Sequence, residues 1–428
     1  MRVLWFSPSI CGNVRRNPQY KVIRGWLIAL EDELKRCPDI NLAVSYLSDK
    51  AEQPYVFESV MYYPISLWSG NISYRGLLNR IIPSKIIDSK IEQKMEDVVE
   101  NFHPDIIHIH GTEGSFGLIL DYASKKNIPV VFSIQGMIAP YSEKFFSGIP
   151  QFDAYRFDSI IDYIKRSSSF HVYQSFRYRA KRELSYVKKA QYVFGRTFWD
   201  ANCTLSINPQ RKYYIVNEIL RNDFYNKIWK GYICNGQDKE VAIVSIVSGG
   251  IYKGLETALK AAYILKTSGV FNFKWHIVGY SRNTKWVKIA EKSTSLCSDE
   301  VNIIYEGKMD SEELSNILSL SDIYVHVSHI ENSPNSVCEA MLVGMPIIAT
   351  YAGGTASLME HMKDGLLVQD GDPYVLAGSI IRMIQEPENA IAYANSARLK
   401  AHFRHSPTKV CEELKSGYKQ ILKLHNLP

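Results

Sequence analysis

Short apolar runs alternate with helix-length amphipathic stretches along the whole chain, and this dictates a parallel α/β architecture. Parallel strands cannot be joined by tight turns; each pair needs a crossover of a dozen or more residues. In the first half the expected strands are 3–7, 42–47, 106–110, 130–134, 192–194 and 213–216. Helical patterns lie between them near 20–36, 86–101, 116–126 and 157–189, the last with its breaks unplaced. The second half restarts with expected strands at 242–247, 274–278, 301–305, 323–327, 346–350 and 366–368. After Gly254, the residues Leu255, Ala258, Leu259, Ala262 and Leu265 recur at helical spacing, an apolar stripe that suits a sheet face. Residues 226–240 carry Gly231, Asn235, Gly236 and Asp238 without a period, so the linker is placed there. The expectation is two βαβ-type domains, 1–225 and 240–404, with a crevice between them as the default site.

Composition narrows the function class. The 428 residues are 46% hydrophobic and 22% charged, values of a globular chain with an ample core. No apolar run approaches the ~18 residues of a membrane span; the longest, 340–349, is short and holds Gly344 and Pro346. Met1 and Arg2 lead straight into Val3-Leu4-Trp5-Phe6, which leaves no room for a signal peptide. Seven scattered cysteines without C-x-x-C spacing argue against a disulfide framework or zinc cluster and for a reducing cytoplasm. A weakly basic multidomain enzyme is therefore expected, with a net charge of +6.

The most informative segment runs from Ser328 to Met341, leaving a strand and opening a helix. Ser333 suits the N-cap, Pro334 the first helical position, and Gly344 with Pro346 the stop. A helix N-terminus offers free N–H groups and positive dipole to a phosphate. A carboxylate in the loop (Glu331) and another in the second turn (Glu339) can accept hydrogen bonds from sugar hydroxyls. The set suits a nucleotide-sugar: hydroxyls at both ends and a diphosphate between.

Glu331 and Glu339 form E-x(7)-E within a longer series of motifs. Ser321-Asp322-Ile323-Tyr324-Val325-His326-Val327-Ser328 precedes them. Gly344-Met345-Pro346-Ile347-Ile348-Ala349, Ala352-Gly353-Gly354, Asp364-Gly365-Leu366-Leu367-Val368 and Gly371-Asp372-Pro373 follow in register. Over roughly 242–402 the chain resembles the C-terminal half of the retaining glycosyltransferases of family four, which have the GT-B fold: two Rossmann-like domains facing a crevice. The resemblance implies that Glu339 binds the ribose of the nucleotide and Glu331 the transferred sugar. The stretch Asn332, Ser333, Pro334, Asn335 and Ser336 would contact the diphosphate or the sugar. It also makes 1–225 the acceptor domain and 240–404 the donor domain, with a tail helix in 405–428 packing back on the first.

Other positions follow the family less closely. In Ser248-Gly249-Gly250-Ile251-Tyr252-Lys253-Gly254, Lys253 matches the lysine that neutralises the leaving diphosphate, and Gly250 lies in the same donor loop. The family's arginine falls on Ser248, so a cation is missing, and Arg196 or Arg221 is the candidate replacement. The same loop lacks G-x-G-x-x-G and an acid about twenty residues on, which disfavours NAD. In Asp105-Ile106-Ile107-His108-Ile109-His110-Gly111, His110 resembles the N-domain histidine beside the donor sugar; a metal between His108 and His110 lacks a third ligand. Gly25, or else Gly12, matches the glycine where backbone approaches the diphosphate. The Asp370-Gly371-Asp372 triplet reads as a helix cap rather than a metal site. Between Lys165 and Lys189, eight Lys/Arg face one acid, Glu183, among interleaved aromatics. That is a solvated helix face, or a contact for an anionic membrane or a lipid-diphosphate acceptor; no module for nucleic acid surrounds it.

The expectation is a retaining, metal-independent glycosyltransferase without a cofactor, with Glu331, Lys253 and His110 as catalytic residues. It would move a sugar from a nucleotide-diphosphate-sugar to a glycan or lipid-linked acceptor of bacterial surface polysaccharide. It would be cytoplasmic, with peripheral contact at the inner membrane face. The alternatives are a regulatory sugar-nucleotide binder, signalled by Ser248, and a nucleotide-sugar epimerase.

Overall fold

The computed structural model describes residues 1–9, 11–15, 25–48, 51–66, 84–231 and 240–425. The start of the first expected helix (20–24), most of the linker with Cys234 (232–239) and the last three residues lie outside them.

Eight strands form the first sheet: β1 (Arg2–Ser7), β2 (Asn41–Leu47), β3 (Tyr55–Phe57), β4 (Val60–Ile65), β5 (Ile106–His110), β6 (Val130–Ser133), β7 (Tyr192–Gly195) and β8 (Lys212–Ile215). Their order is β3-β4-β2-β1-β5-β6-β7-β8, parallel except where β3 meets β4. The second sheet holds β9 (Val241–Ile246), β10 (Phe273–Val278), β11 (Ile303–Gly307), β12 (Ile323–His326), β13 (Ile347–Thr350) and β14 (Leu366–Val368) in the order β11-β10-β9-β12-β13-β14, all parallel. Every residue of β5, β12 and β13 is buried. Parallel strands covered on both faces read as unbroken apolar runs, which is why the sequence exposes them.

In each sheet the strand order reverses once, between β1 and β5 and between β9 and β12. Loops diverge there and leave a crevice beyond the carboxyl ends. The expected site residues follow these four strands: Gly12 after β1, His110 at the end of β5, Lys253 after β9, Glu331 and Glu339 after β12.

Three local expectations are corrected. The β3–β4 hairpin was not expected; its turn uses Glu58 and Ser59 at φ +47° and +67° without glycine, and Pro64 interrupts the apolar pattern. Pro64 is tolerated because β3 pairs only with residues 60–62, so beyond them β4 is an edge. The 157–189 pattern breaks into Ile160–Ile164 and Ser169–Lys189, with Arg166 at φ +50° and Ser168 capping the second helix through His171 N–H. The helix after Glu331 is Asn335–Val343, and Pro334, not Ser333, is its cap residue.

The two halves share one core. Tyr141, Phe145, Ile149 and Ala154 of the first half are buried in the same cluster as Ile243, Leu255 and Trp275 of the second. The last helix, Pro407–His425, returns to the first sheet: Val410, Leu414, Tyr418 and Ile421 pack with Val3, Trp5 and Leu27.

Candidate functional site

The loop after β9 turns through Ile251–Lys253 into the helix Leu255–Ser268. Gly254 makes that turn possible: its φ is +75°, and a Cβ there would lie 1.9 Å from the Val327 carbonyl oxygen. This brings the Lys253 ammonium onto Oε1 of Glu331. Oε2 of Glu331 accepts from the Tyr141 hydroxyl of the first half at 3.5 Å. Behind Glu331, Gly354 N–H donates to its carbonyl at 2.9 Å. A Cβ on Gly353 would sit 1.9 Å from the same oxygen, so the Ala352-Gly353-Gly354 motif is what lets the β13 loop close on Glu331. Burial pulls the Lys253 pKa down, but the Glu331 carboxylate outweighs it and the net shift is upward.

Glu339 is buried within its helix and takes a two-pronged ion pair from Arg221, Nε to Oε1 at 2.8 Å and Nη2 to Oε2 at 2.7 Å. Burial still raises the Glu339 pKa, with Arg221 offsetting only part of it. Arg221 keeps a quarter of its side chain exposed and lies over the Phe224 ring. Both predicted carboxylates are thus neutralised by partly exposed cations.

Between them the predicted binding stretch is used for domain contact. Asn332 donates to Asp200 Oδ2 at 2.9 Å and to the Gln135 carbonyl at 3.3 Å, and accepts from the Thr197 hydroxyl at 2.6 Å. The Ser333 hydroxyl donates to Glu218 Oε1 at 2.6 Å. Asn335 and Ser336 are half-buried at the helix start. Gly250 lies under Tyr252, whose ring a Cβ would meet at 2.6 Å.

On the first sheet, His110 is buried against Trp5, with ring centroids 4.5 Å apart, and near Trp26 at 6.0 Å. His108 beside it spends both ring nitrogens on protein, with Tyr418 Oη and Ser133 Oγ each at 2.6 Å. Burial lowers its pKa to about 3. Arg196 is buried, stacked on Trp26 at 4.7 Å and paired with Glu218 at 3.1 Å. Burial pushes the Glu218 pKa up, yet Arg196, His405 and Arg404 bring it down to about 2. Gly25 begins the helix Gly25–Lys35, directly before Trp26. Gly12 donates its N–H to Glu31 Oε2 at 2.8 Å.

Glu31 is a residue the sequence reading missed. It is fully buried and also holds the Tyr62 hydroxyl at 2.7 Å and Lys35 Nζ at 3.0 Å. A signal existed: an acid embedded in the apolar stripe Leu27, Leu30, Leu34. Tyr141, Asp200 and Glu218 gave none, and Arg221, named only as a candidate cation, gave no sign of its pairing with Glu339, because each matters through a partner more than a hundred residues away.

Among the described residues, Glu218, Cys338 and His405 are the one trio close enough to hold a metal. Arg196 already occupies Glu218, and burial raises the Cys338 thiol pKa, so the set fits a metal poorly. The triplet at 370–372 is divided: Asp370 faces His329 Nδ1 at 3.2 Å, and Asp372 caps the helix Pro373–Gln385 through Tyr374 and Val375 N–H. His329 also meets Glu256 at 2.7 Å.

Residues 235–400 match the family described as glycosyl transferases group 1. The amylovoran biosynthesis glycosyltransferase AmsK of Erwinia amylovora is 31% identical over 154 residues, which are 35% of this chain and 37% of that protein. The first curated relatives are matched over 37%, 59% and 32% of their own length. Sucrose-phosphate synthase from Thermosynechococcus elongatus superposes with a TM-score of 0.69 at 14% identity, covering 99% of this chain and all of the other. HepE of Anabaena, solved with UDP-glucose, gives 0.64 at 15% identity, covering 98% of this chain and all of the other. These likenesses show the fold, GT-B.

Proposed function

From the premise of a GT-B chain whose residues 235–400 are those of the glycosyl transferases group 1, we propose a retaining glycosyltransferase that uses a nucleotide-diphosphate-sugar. The observation that carries this reading is the pair of contacts Lys253–Glu331 and Arg221–Glu339 beyond β9 and β12. In this reading each carboxylate turns to hydroxyls as its partly exposed cation exchanges it for a diphosphate. HepE, solved with UDP-glucose, supports a donor of this class.

In this reading Glu339 takes the ribose hydroxyls and Glu331 those of the transferred sugar. Lys253 turns to the diphosphate, and the N-terminus of the Asn335–Val343 helix adds its N–H groups. The bond from the anomeric carbon to the diphosphate oxygen breaks, the acceptor oxygen joins on the same face, and the departing phosphate takes its proton. No metal enters these steps. Of the two arginines considered for the cation absent at Ser248, we assign Arg221. Arg196 is held by Glu218 under Trp26, whereas Arg221 already stands at the ribose carboxylate. His110 is assigned to the wall of the sugar pocket. The acceptor is a glycan or lipid-linked glycan of surface polysaccharide; AmsK is, by its name, a glycosyltransferase of amylovoran biosynthesis.

Exposed Ser248 leaves a second reading, a sugar-nucleotide binder without transfer. Incubation with a panel of nucleotide-sugars separates the two: transfer or slow donor hydrolysis is expected, abolished in Glu331→Ala and Glu339→Ala with the fold intact. Binding without turnover selects the second reading. Full activity and unchanged donor binding in Glu339→Ala rejects the site.

A further inference from the structure

The loop that carries Glu331 is tied down two residues earlier, by His329. Its N–H donates to the Tyr252 carbonyl at 2.9 Å. Its ring meets Glu256 Oε1 through Nε2 at 2.7 Å and Asp370 Oδ2 through Nδ1 at 3.2 Å. Tyr252 stands one residue before Lys253 and Glu256 three after it, so this one residue grips the lysine turn on both sides. Asp370 joins the same ring to the loop after β14. The Thr257 hydroxyl donates to Glu256 Oε1 at 2.7 Å and keeps that oxygen an acceptor.

A carboxylate accepts hydrogen bonds and does not donate them, so a ring with one at each nitrogen must donate twice. That ring is the imidazolium; a neutral ring turns a bare lone pair on one of the two acids. The first half closes over the arrangement. Gly148 has φ +81°, and a Cβ there would lie 2.0 Å from Glu256 Oε1 and 2.5 Å from His329 Nε2. Main chain therefore lies directly on the bond, and the His329 and Glu256 side chains are each 2% exposed. The charged groups that face the ring are Glu256 from the Leu255–Ser268 helix and Asp370. Gly148 adds none, and Lys253 and Glu331 are paired with each other. The Tyr252 and Tyr280 phenols are raised by burial and stay neutral.

Resting on the transferase reading, we propose that His329 is a positioning residue whose charged ring fixes Lys253 against Glu331, so that transfer is lost when the ring gives up its proton. The ring is too buried to touch substrate and acts through the two loops it joins. Burial alone would lower the His329 pKa, but Glu256 and Asp370 outweigh it and the net shift is upward from 6.5. Activity is therefore complete below 6.5 and falls as pH rises through the raised value.

The test is the rate of turnover of the nucleotide-sugar panel from about pH 6 to 10, in the unsubstituted chain, His329→Gln and Asp370→Asn. In the unsubstituted chain kcat is expected to fall on the alkaline side with the donor KM little changed. Glutamine carries no charge and donates to one acid only, so His329→Gln is expected to lose about tenfold or more in kcat at the acid end, and the alkaline fall with it. Asp370 is 26% exposed, and Asp370→Asn removes one negative charge from the ring with the fold intact. Its alkaline fall is expected about one unit lower in pH, a shift that a role confined to packing does not give. Should His329→Gln not fold, Asp370→Asn decides alone. An unmoved fall in Asp370→Asn, the same fall in His329→Gln, or no fall in an active unsubstituted chain overturns the proposal and leaves the transferase reading standing. No turnover by the unsubstituted chain rejects that reading and this inference with it.

Discussion

Arg196 and Lys253 each follow a strand of their own sheet and each neutralises a carboxylate, yet they belong to different regimes. Arg196 and Glu218 are 6% and 0% exposed, while Lys253 and Glu331 are 20% and 14% exposed. A sealed pair has no route by which a ligand can replace one partner, and losing either leaves an uncompensated buried charge. A pair at the surface of a crevice can trade its carboxylate for another anion at modest cost. The difference separates residues that hold the two sheets together from residues available to chemistry.

Breaking the sealed pair carries the largest expected effect. Arg196→Met takes from buried Glu218 its closest cation, leaving the Ser333 hydroxyl and the more distant Arg404, and is expected to cost about 3 kcal/mol of stability, read as a lowered denaturation midpoint. Removing the exchangeable cation should do the reverse: Lys253→Met lowers turnover by about 10²–10³ while the melting temperature stays close to the original. Equal loss of stability in both variants would erase the distinction.

Much of that distinction was out of reach of the sequence. Lys253, Glu331 and Glu339 were legible because a local series of motifs, strand then loop then helix, fixes their placement within a hundred residues. The parallel strands were legible for the same local reason, their burial on both faces. The β3–β4 hairpin was hidden by a turn without glycine and by Pro64, and the pairing of Arg221 with Glu339 and the contacts of Tyr141, Asp200 and Glu218 by distance along the chain. Spacing encodes periodicity, not tertiary proximity. Glu31 lay between these cases, visible as an acid in an apolar stripe but without any indication that Gly12 was its partner.

Arg221 sharpens the comparison: it is 25% exposed, more than Lys253, while its partner Glu339 at 3% is nearly as buried as Glu218. Arg221→Ala is expected to weaken nucleotide binding about tenfold, roughly 1.4 kcal/mol, in a calorimetric titration. Unchanged affinity would return the missing-cation role to some other residue.

The smallest effect expected is on pH. Burial holds His108 at about 3 and His326 and His405 at about 4, against an ordinary value of 6.5. The unfolded chain therefore binds more protons between pH 6.5 and about 4, and stability falls as pH is lowered through that window. His329 has the opposite sign. Burial lowers its pKa, but Glu256 and Asp370 raise it further, so its contribution is complete below 6.5 and is lost as pH rises through the raised value. Melting temperatures across pH should fall on the acid side, and His329→Gln should cost most at acid pH and least at alkaline pH.

The claim that the exposed pairs stand where a donor binds is tested most directly by titrating nucleoside diphosphates and their sugars into the unsubstituted chain and Glu339→Gln. At least one nucleotide should bind the former and lose about tenfold or more in the latter, as expected for a carboxylate that holds the ribose. Equal affinity in both proteins, or binding of no nucleotide to either, would contradict it.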